Sequence, residues 1–133
     1  MALQLGVTHR NARLDAIETI LGASAFLQLR SGAQPADCAA VDTGTLLCDI
    51  ALPADYFNAG ATGQMTKLGT WSGTGVGGGG TIAHFRLKNN AKTVTGLQGS
   101  VGLGSGDLSL DNNVIADGQT VTITTFTLTD GNA

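Results

Sequence analysis

The chain has 133 residues, enough for one domain, and its composition is poor in charge. Charged residues make up 13% of the sequence, against about 25% in an average soluble domain. The net charge is −3, the seven basic residues are scattered, and the apolar runs are short and interrupted by Thr and Gly, so we expect neither nucleic-acid nor membrane partners.

The first predicted element is an amphipathic helix over residues 8–21. Its apolar stripe has helical spacing and consists of Leu14, Ile17 and Leu21, widened by Ile20. Thr8 is the predicted N-cap, and Gly22 is the residue expected just past the C-terminus. The apolar face must cover something, and the protein's own sheet and a neighbouring subunit are both open possibilities.

From residue 25 onward the apolar period changes to two, which predicts strands. The predicted strands of this half cover residues 26–29, 46–52, 64–72 and 81–88. Phe85 and Leu87 face one side of the last of these, and His84, Arg86 and Lys88 face the other. We expect this second face to be exposed, with His84 as a surface imidazole.

The last third begins with a predicted hairpin turn at Asn89 and Asn90. Further strands are predicted over residues 93–97, 99–103, 107–111 and 119–129. In the final strand the apolar residues slip by one position between Ile123 and Phe126, which predicts a β-bulge at Thr124 and Thr125.

Together these elements predict a mainly β protein, an antiparallel β-sandwich or jelly roll of about eight strands with one N-terminal α-helix. We expect a single domain over residues 1–133, with an arm and helix in residues 1–23 and the sandwich in residues 25–130. The glycine-rich residues 73–80 predict a flexible loop, or an arm that becomes ordered along a neighbouring subunit.

No catalytic, cofactor or metal site is predicted, so we do not expect an enzyme. His9 and His84 have no orienting partner or nucleophile that the sequence places nearby. Residues 111–113 resemble a calcium loop only weakly and are predicted to form a turn. The glycine-rich segments lack the Gly-Lys-Ser/Thr ending of a phosphate loop.

The cysteines and the start of the chain indicate a cytoplasmic product. Residues 1–6 lack the basic start and apolar run of a signal peptide. Cys38 and Cys48 match no zinc pattern, and we expect free buried thiols, with a disulfide as the alternative. The aromatic residues Tyr56, Phe57 and Trp71 would suit either a core or a sugar-binding face, and their small number favours the core.

Several segments, taken in order, resemble a family of small virion structural proteins from tailed bacteriophages. They are RNARLDAI at residues 10–17, FLQLRSGAQP at 26–35, GSVG at 99–102, DLSLD at 107–111 and TFTLTDGN at 125–132. The resemblance implies a capsid decoration (cement) protein, a jelly-roll-like sandwich on the outside of an icosahedral head. It implies no catalytic residues.

The partners that the resemblance implies are the major capsid protein and further copies of this chain, as a homodimer or homotrimer on the capsid. The protein would be made in the host bacterial cytoplasm and reside on the capsid surface of the virion. The candidate contact residues lie in residues 2–7, on the helix and in the glycine-rich segment: Leu3, Leu5, Val7, Leu14, Ile17, Leu21, Gly77 and Gly78. A phage tail or baseplate structural protein and a carbohydrate-binding module for host attachment are the alternatives.

Overall fold

The structure, a computed structural model, describes residues 3–130 as one helix followed by eleven short strands. The elements are α1 (Val7–Leu21), β1 (Phe26–Arg30), β2 (Leu46–Ala51), β3 (Gln64–Thr66), β4 (Trp71–Thr74), β5 (Gly80–Thr81), β6 (His84–Lys88), β7 (Thr95–Leu103), β8 (Leu108–Leu110), β9 (Val114–Ile115), β10 (Thr120–Ile123) and β11 (Thr127–Thr129). The prediction of a mainly β protein with one N-terminal helix is confirmed. Within the described range, no helix is long and apolar enough to cross a membrane.

The largest sheet has five strands in the order β2-β1-β6-β7-β8, and three two-stranded sheets pair β10 with β4, β11 with β3, and β5 with β9. Every named pair is antiparallel except β7 with β8, where the strands run parallel. The expectation of a wholly antiparallel arrangement is therefore wrong at this one edge. Residues 104–107 return the chain alongside β7, so that Leu108 pairs with Val101 and Leu110 with Leu103 in the same direction.

Strands β1 and β2 form because their alternating apolar side chains all pack in the same core. Leu27 pairs with Ile50 and Leu29 with Cys48, and all four side chains are buried. The ladder ends before Pro53, which has no N–H to donate. These two strands agree with the predicted ones to within a residue or two at each end.

The helix begins at Val7 and is capped by the backbone of Gly6, with no side-chain cap hydrogen bond. The prediction of Thr8 as N-cap is wrong because Thr8 already lies in the first turn. Gly22 ends the helix as predicted, with φ +79°, and its N–H donates to Glu18 O over 2.8 Å. Only glycine adopts this backbone conformation without strain.

The helix packs on its own protein. Leu14 and Leu21 belong to the buried core, and Leu21 lies so close to Gly96 of β7 that a β-carbon at Gly96 would be 2.8 Å from it. Ile20, in contrast, is exposed, so its predicted place in the apolar stripe is wrong. Of the two possibilities open for the apolar face, the structure shows the protein's own sheet.

Polar side chains of the helix fix it to residues 56–63. Asp15 accepts a hydrogen bond from Gly60 N at 2.6 Å, and Asn11 accepts one from Gly63 N at 2.9 Å. Glu18 accepts one from Tyr56 N at 3.0 Å. Burial raises the pKa of Glu18, and the nearby Asp55 adds to this effect.

The final predicted strand is divided. Val121, Ile123 and Phe126 are all buried, which confirms the one-residue slip in apolar phase. The slip is not a bulge, however, since β10 and β11 pair with different strands and residues 124–126 lie between them. Residues 64–72 and 81–88 are divided in the same way, each into two strands.

The aromatic residues form one buried cluster. Neighbouring ring centroids lie 5.2 to 6.1 Å apart, and the rings belong to Tyr56, Phe57, Trp71, Phe85 and Phe126. Contacts at these distances stabilise aromatic pairs beyond the area that they bury. The prediction that Tyr56, Phe57 and Trp71 pack in the core is confirmed.

Candidate partner-binding surface

The second face of β6 is buried, although the sequence suggested an exposed one. His84, Arg86 and Lys88 all lie on this face and are among the buried residues. The chain between β1 and β2, residues 31–45, folds over them, and we call it the covering loop. The prediction of His84 as a surface imidazole is wrong, because nothing in the sequence pattern signals that this loop returns over the central strand.

Arg86 fastens the covering loop to the sheet. Its guanidinium donates hydrogen bonds to Asp37 O at 3.2 Å, Cys38 O at 2.9 Å and Ala40 O at 3.0 Å. It also donates to Asp42 Oδ1 at 2.6 Å. A guanidinium presents five donors in a rigid plane, so a single Arg86 side chain fixes several points of the loop at once.

Asp42 is shared by three cations. Besides the bond from Arg86, its Oδ2 lies 2.7 Å from Lys88 Nζ and 3.2 Å from Arg30 Nη2. Burial by itself would raise the pKa of Asp42, but the hydrogen bonds from Lys88 and Arg86 and the charge of Arg30 outweigh burial and lower it. Because three cations share one carboxylate, the cluster keeps a surplus of positive charge.

The other end of the covering loop is fixed by His84. Its Nδ1 lies 2.9 Å from Gly32 O and donates to that carbonyl. Across the loop, Ser31 Oγ accepts a hydrogen bond from Thr45 N at 2.9 Å, which closes the base. Hydrogen bonds therefore hold the covering loop at its base, through Ser31 and Gly32, and again between Asp37 and Asp42. Its position does not depend on apolar packing alone.

Beside the tip of the loop lies a cleft of about 630 Å³, which we call the Val41 cleft. Asp42, Arg86 and Lys88 line it on one side, and Val41 and Val94 stand along it. Val41 is 84% exposed and Val94 is 47% exposed. The exposed aliphatic area of the cleft suits an apolar side chain of a partner, while Arg86 and Lys88 are buried there and bonded to the covering loop.

The structure places the candidate contact residues of the N-terminal part in different environments. Leu3 is 80% exposed, Val7 is exposed and Leu5 is half-buried, while residue 2 lies outside the described residues. Leu14 and Leu21 are buried in the protein's own core, so the prediction that they meet a partner is corrected. They are held there by the packing of the helix on β7.

Ile17 keeps part of its surface. It packs against the core and, together with Leu97 and Leu128, lines a groove of about 410 Å³ between the helix and the sheet. Its predicted role as a contact residue stays a prediction. Ile17 and the exposed Leu3 and Val7 do not line the Val41 cleft.

The glycine-rich segment is a hydrogen-bonded turn. Val76 N donates to Leu47 O at 2.8 Å, and Gly78 N donates to Asp117 Oδ1 at 2.9 Å. Gly77 has φ +72°, and a β-carbon there would collide with Leu46 O. The predicted flexible loop or arm is therefore wrong, because the glycines allow close approach of two backbones. Gly77 and Gly78 are both exposed, and contact through them stays a prediction.

The two cysteines are free thiols, as expected. Cys48 is fully buried in β2, and burial, with a smaller effect of the Asp49 charge, raises the pKa of its thiol to about 11. Cys38 is half-buried and lines the Val41 cleft, so the expectation of burial holds for Cys48 alone.

Sequence reasoning missed the residues of the Val41 cleft. Arg86 and Lys88 alternate on a strand whose other face is strongly apolar, and in an antiparallel sheet this pattern is typical of a strand with one face in water. Buried cations need a charged partner, but Asp42 lies 44 positions from Arg86 and 46 from Lys88. No signal in the sequence connects these residues.

Comparisons of the chain with protein-family models, with curated proteins and with solved structures found no match. The fold and the Val41 cleft define a mainly β protein with a fixed loop that presents an exposed aliphatic side chain.

Proposed function

We propose that this protein is a structural virion protein that binds the outside of a phage head and stabilises the capsid by bridging major capsid protein subunits. The observation that carries the proposal is the covering loop. Arg86 and Asp42 hold it in place, and Val41 stands 84% exposed beside the cleft. The resemblance to phage virion proteins implies that the partner is the major capsid protein.

A fixed loop with an exposed valine suits binding for a physical reason. Burying a Val side chain fully is worth about 1.5–3 kcal/mol, and this free energy is not gained while Val41 faces water. Because the loop is already ordered by Arg86, its association with a partner costs little further conformational entropy.

We also propose that the sheets form the two layers of a sandwich of the jelly-roll kind. Trp71 and Ile123, from the paired strands β4 and β10, lie in the same buried core as Leu29 of the five-stranded sheet. A bridge between Cys48 and Gly75 connects β2 with the chain just after β4. Such a body offers loops at its ends for contacts, as sandwich domains commonly do.

Bridging would stabilise a head by mass action. A protein that binds the expanded shell, and not the ruptured one, shifts the equilibrium toward the intact shell in proportion to its affinity and free concentration. A protein that contacts two neighbouring subunits also gains effective concentration at the second contact. Low surface charge favours this close packing of protein against protein.

A carbohydrate-binding module is less well supported. Tyr56, Phe57 and Trp71 are buried, so the aromatic residues that suggested a sugar-binding face are not available to stack on a ring. A tail or baseplate protein would use the same kind of contacts, and copy number per virion distinguishes it. A head protein is present in proportion to the shell subunits, and a tail component in proportion to a single ring.

The test is co-sedimentation of the protein with purified heads that lack it, from the phage that encodes the chain. We expect the wild type to bind, and Val41→Asp and Val94→Asp to weaken binding about tenfold or more, equivalent to about 1.4 kcal/mol. Val114→Asp is the matched control, since Val114 is an exposed valine outside the cleft, and it should bind like the wild type.

A second readout measures stabilisation directly. Heads that carry the wild-type protein should resist thermal and osmotic rupture better than bare heads, and heads mixed with Val41→Asp should rupture like bare heads. Equal binding by all three variants would show that the cleft is not the contact. No binding by the wild type would overturn the proposed function.

A further inference from the structure

The covering loop lies on the sheet with little apolar packing. Of residues 31–45, Pro35 alone is buried, and none of them belongs to the hydrophobic core. Lifting the loop from the sheet would therefore expose little apolar surface. Because the hydrophobic effect scales with the apolar area removed from water, it contributes little to keeping the loop closed.

The sheet face beneath the loop is polar as well. Gln28, His84, Arg86 and Lys88 lie on it and are between 0% and 7% exposed. Three buried atoms there have no hydrogen-bond partner among the described residues, and they are Arg86 Nε, His84 Nε2 and Gln98 Oε1. An unpaired buried polar atom lowers the stability of the state that buries it. Water reaches these atoms once the loop moves away, so burying them favours the open form.

The covering loop has hydrogen bonds of its own that do not involve the sheet. Thr43 Oγ1 donates to Ala33 O at 2.7 Å and joins the two limbs of the loop. Asp37 Oδ1 accepts from Ala39 N at 2.9 Å and from Ala40 N at 2.8 Å, which orders the tip. These bonds survive when the loop leaves the sheet, so the loop can move as one body.

Two glycines lie just inside the base of the loop, one on each limb. Gly32 has φ +77° and Gly44 has φ +67°, and a β-carbon at Gly32 would lie 3.7 Å from Gly44 Cα. Next to them, Ser31 N donates to Thr45 O at 3.0 Å and keeps the ends of the loop together. Glycine changes φ and ψ at low cost, so these two residues can act as hinges while the base stays paired.

The ionic contacts between the loop and the sheet converge on Asp42. Its carboxylate pairs with Arg86 and Lys88 of β6 and with Arg30 of β1. The hydrogen bonds from Arg86 to loop carbonyls, and the one from Gln98 Nε2 to Pro35 O at 2.9 Å, add neutral acceptors. Since hydrogen bonds to charged groups are the stronger ones, Asp42 is the main attachment of the loop.

We propose that the covering loop is a lid that opens as a unit while the rest of the protein stays folded, and that the carboxylate of Asp42 sets how often it opens. The closed form is the one that the structure shows. Segments with few buried apolar contacts open at a lower free energy than the core of the same protein. The opening is a property of the isolated chain and does not depend on the proposed function.

Opening would take apart the Val41 cleft. Val41 and Asp42 belong to the loop, while Arg86, Lys88 and Val94 line the cleft from the body of the protein. A partner seated in the cleft would therefore bind the closed form and keep the loop closed by mass action. This consequence, unlike the opening itself, rests on the proposed function.

The test compares two buried thiols during maleimide labelling of the isolated protein. Gln28→Cys places a thiol on the face beneath the loop, at a buried position whose amide oxygen accepts hydrogen bonds from Arg30. The natural Cys48 is fully buried in the core and reports unfolding of the whole chain. Cys38→Ser removes the third thiol. Each labelling rate is divided by the rate of the same thiol in urea.

We expect the thiol of Gln28→Cys to react about tenfold or more faster than Cys48 after this normalisation, because opening the lid is easier than unfolding. Adding Asp42→Asn should raise the rate at Gln28→Cys about tenfold or more, since three cations lose their charged partner. The matched control is Asp111→Asn at an exposed turn, which should change neither rate.

A core substitution separates opening of the lid from unfolding. Ile123→Val shortens a buried side chain of β10 and lowers the stability of the whole fold. It should speed the labelling of Cys48 several-fold and leave the rate at Gln28→Cys unchanged. An equal effect on both thiols, or equal normalised rates without it, would overturn the proposal. An unchanged rate in Asp42→Asn would overturn the role of Asp42.

His84 is a second reporter that needs no substitution and serves if Gln28→Cys fails to fold. It is fully buried beneath the loop, and diethyl pyrocarbonate modifies an imidazole that solvent reaches. Its modification, located by mass spectrometry and divided by its rate in urea, should exceed the unfolded fraction about tenfold or more. A rate equal to the unfolded fraction would overturn the proposal. These measurements contain no heads, so a failure of the proposed function leaves them unchanged.

Discussion

Asp42 accepts hydrogen bonds from Lys88 and Arg86, and removing its carboxylate would leave two buried cations without their charged partner. We expect Asp42→Ala to lower the free energy of unfolding by about 3 kcal/mol, the lower end for a broken buried pair, because Asp42 keeps some exposure. Urea unfolding followed by Trp71 fluorescence measures the change. Asp111→Ala, at an exposed turn, should stay within about 0.5 kcal/mol of the wild type.

The same carboxylate predicts a pH dependence. The pKa of Asp42 is lowered in the folded state, so its contribution to stability is complete above its ordinary value of 3.8 and is lost as the pH falls through the folded-state value. The wild type should therefore be more stable than Asp42→Asn near neutral pH, and this difference should shrink in acid. A difference that stays constant down to the acid transition would contradict the assignment.

The two cysteines should differ in reactivity. Burial raises the pKa of the Cys48 thiol to about 11, and no solvent reaches it, so the native protein should leave it unmodified by a maleimide at neutral pH. Cys38 is half-buried beside the Val41 cleft and should react. Mass spectrometry of the labelled native protein should find one label on Cys38, and a second label only after unfolding. Labelling of Cys48 in the native protein would contradict the packing of β2.

At the scale of elements, the glycine-rich turn allows a matched pair of substitutions. Both Gly77 and Gly78 have positive φ, but a β-carbon at Gly77 collides with Leu46 O, while one at Gly78 meets open space. Gly78→Ala should cost about 1 kcal/mol for the left-handed backbone alone. Gly77→Ala should cost about 3 kcal/mol, since the backbone must also move. Thermal unfolding of both variants checks the order, and equal costs would show that the turn is not packed on β2.

Elements could be predicted where a single apolar pattern decides the structure. The alternation in residues 26–29 and 46–52 predicted β1 and β2, because Leu27, Leu29 and Ile50 recur at the strand period and all pack in the same core. The helix was predicted because Leu14 and Leu21 follow helical spacing and Gly22 ends it. The pattern could not show that β10 and β11 separate, because the phase slip before Phe126 fits both a bulge and a break between two sheets.

For the whole molecule, pairing between distant segments was not visible in the sequence. The parallel pairing of β7 with β8 and the pairing of β11 with β3 depend on where each loop carries the chain. The Val41 cleft was missed for the same reason. Arg86 and Lys88 look like surface residues until the covering loop brings Asp42 to them, 44 and 46 positions away in sequence.

The proposal that this protein decorates a phage head is tested most directly by a cryo-EM reconstruction of intact particles of the proposed parent phage. We expect a mainly β density of this size on the outer face of the head, at junctions between major capsid protein subunits, with the covering loop and Val41 against the shell. Particles whose outer surface lacks this density, with the protein found in a tail ring or missing from the virion, would contradict the account.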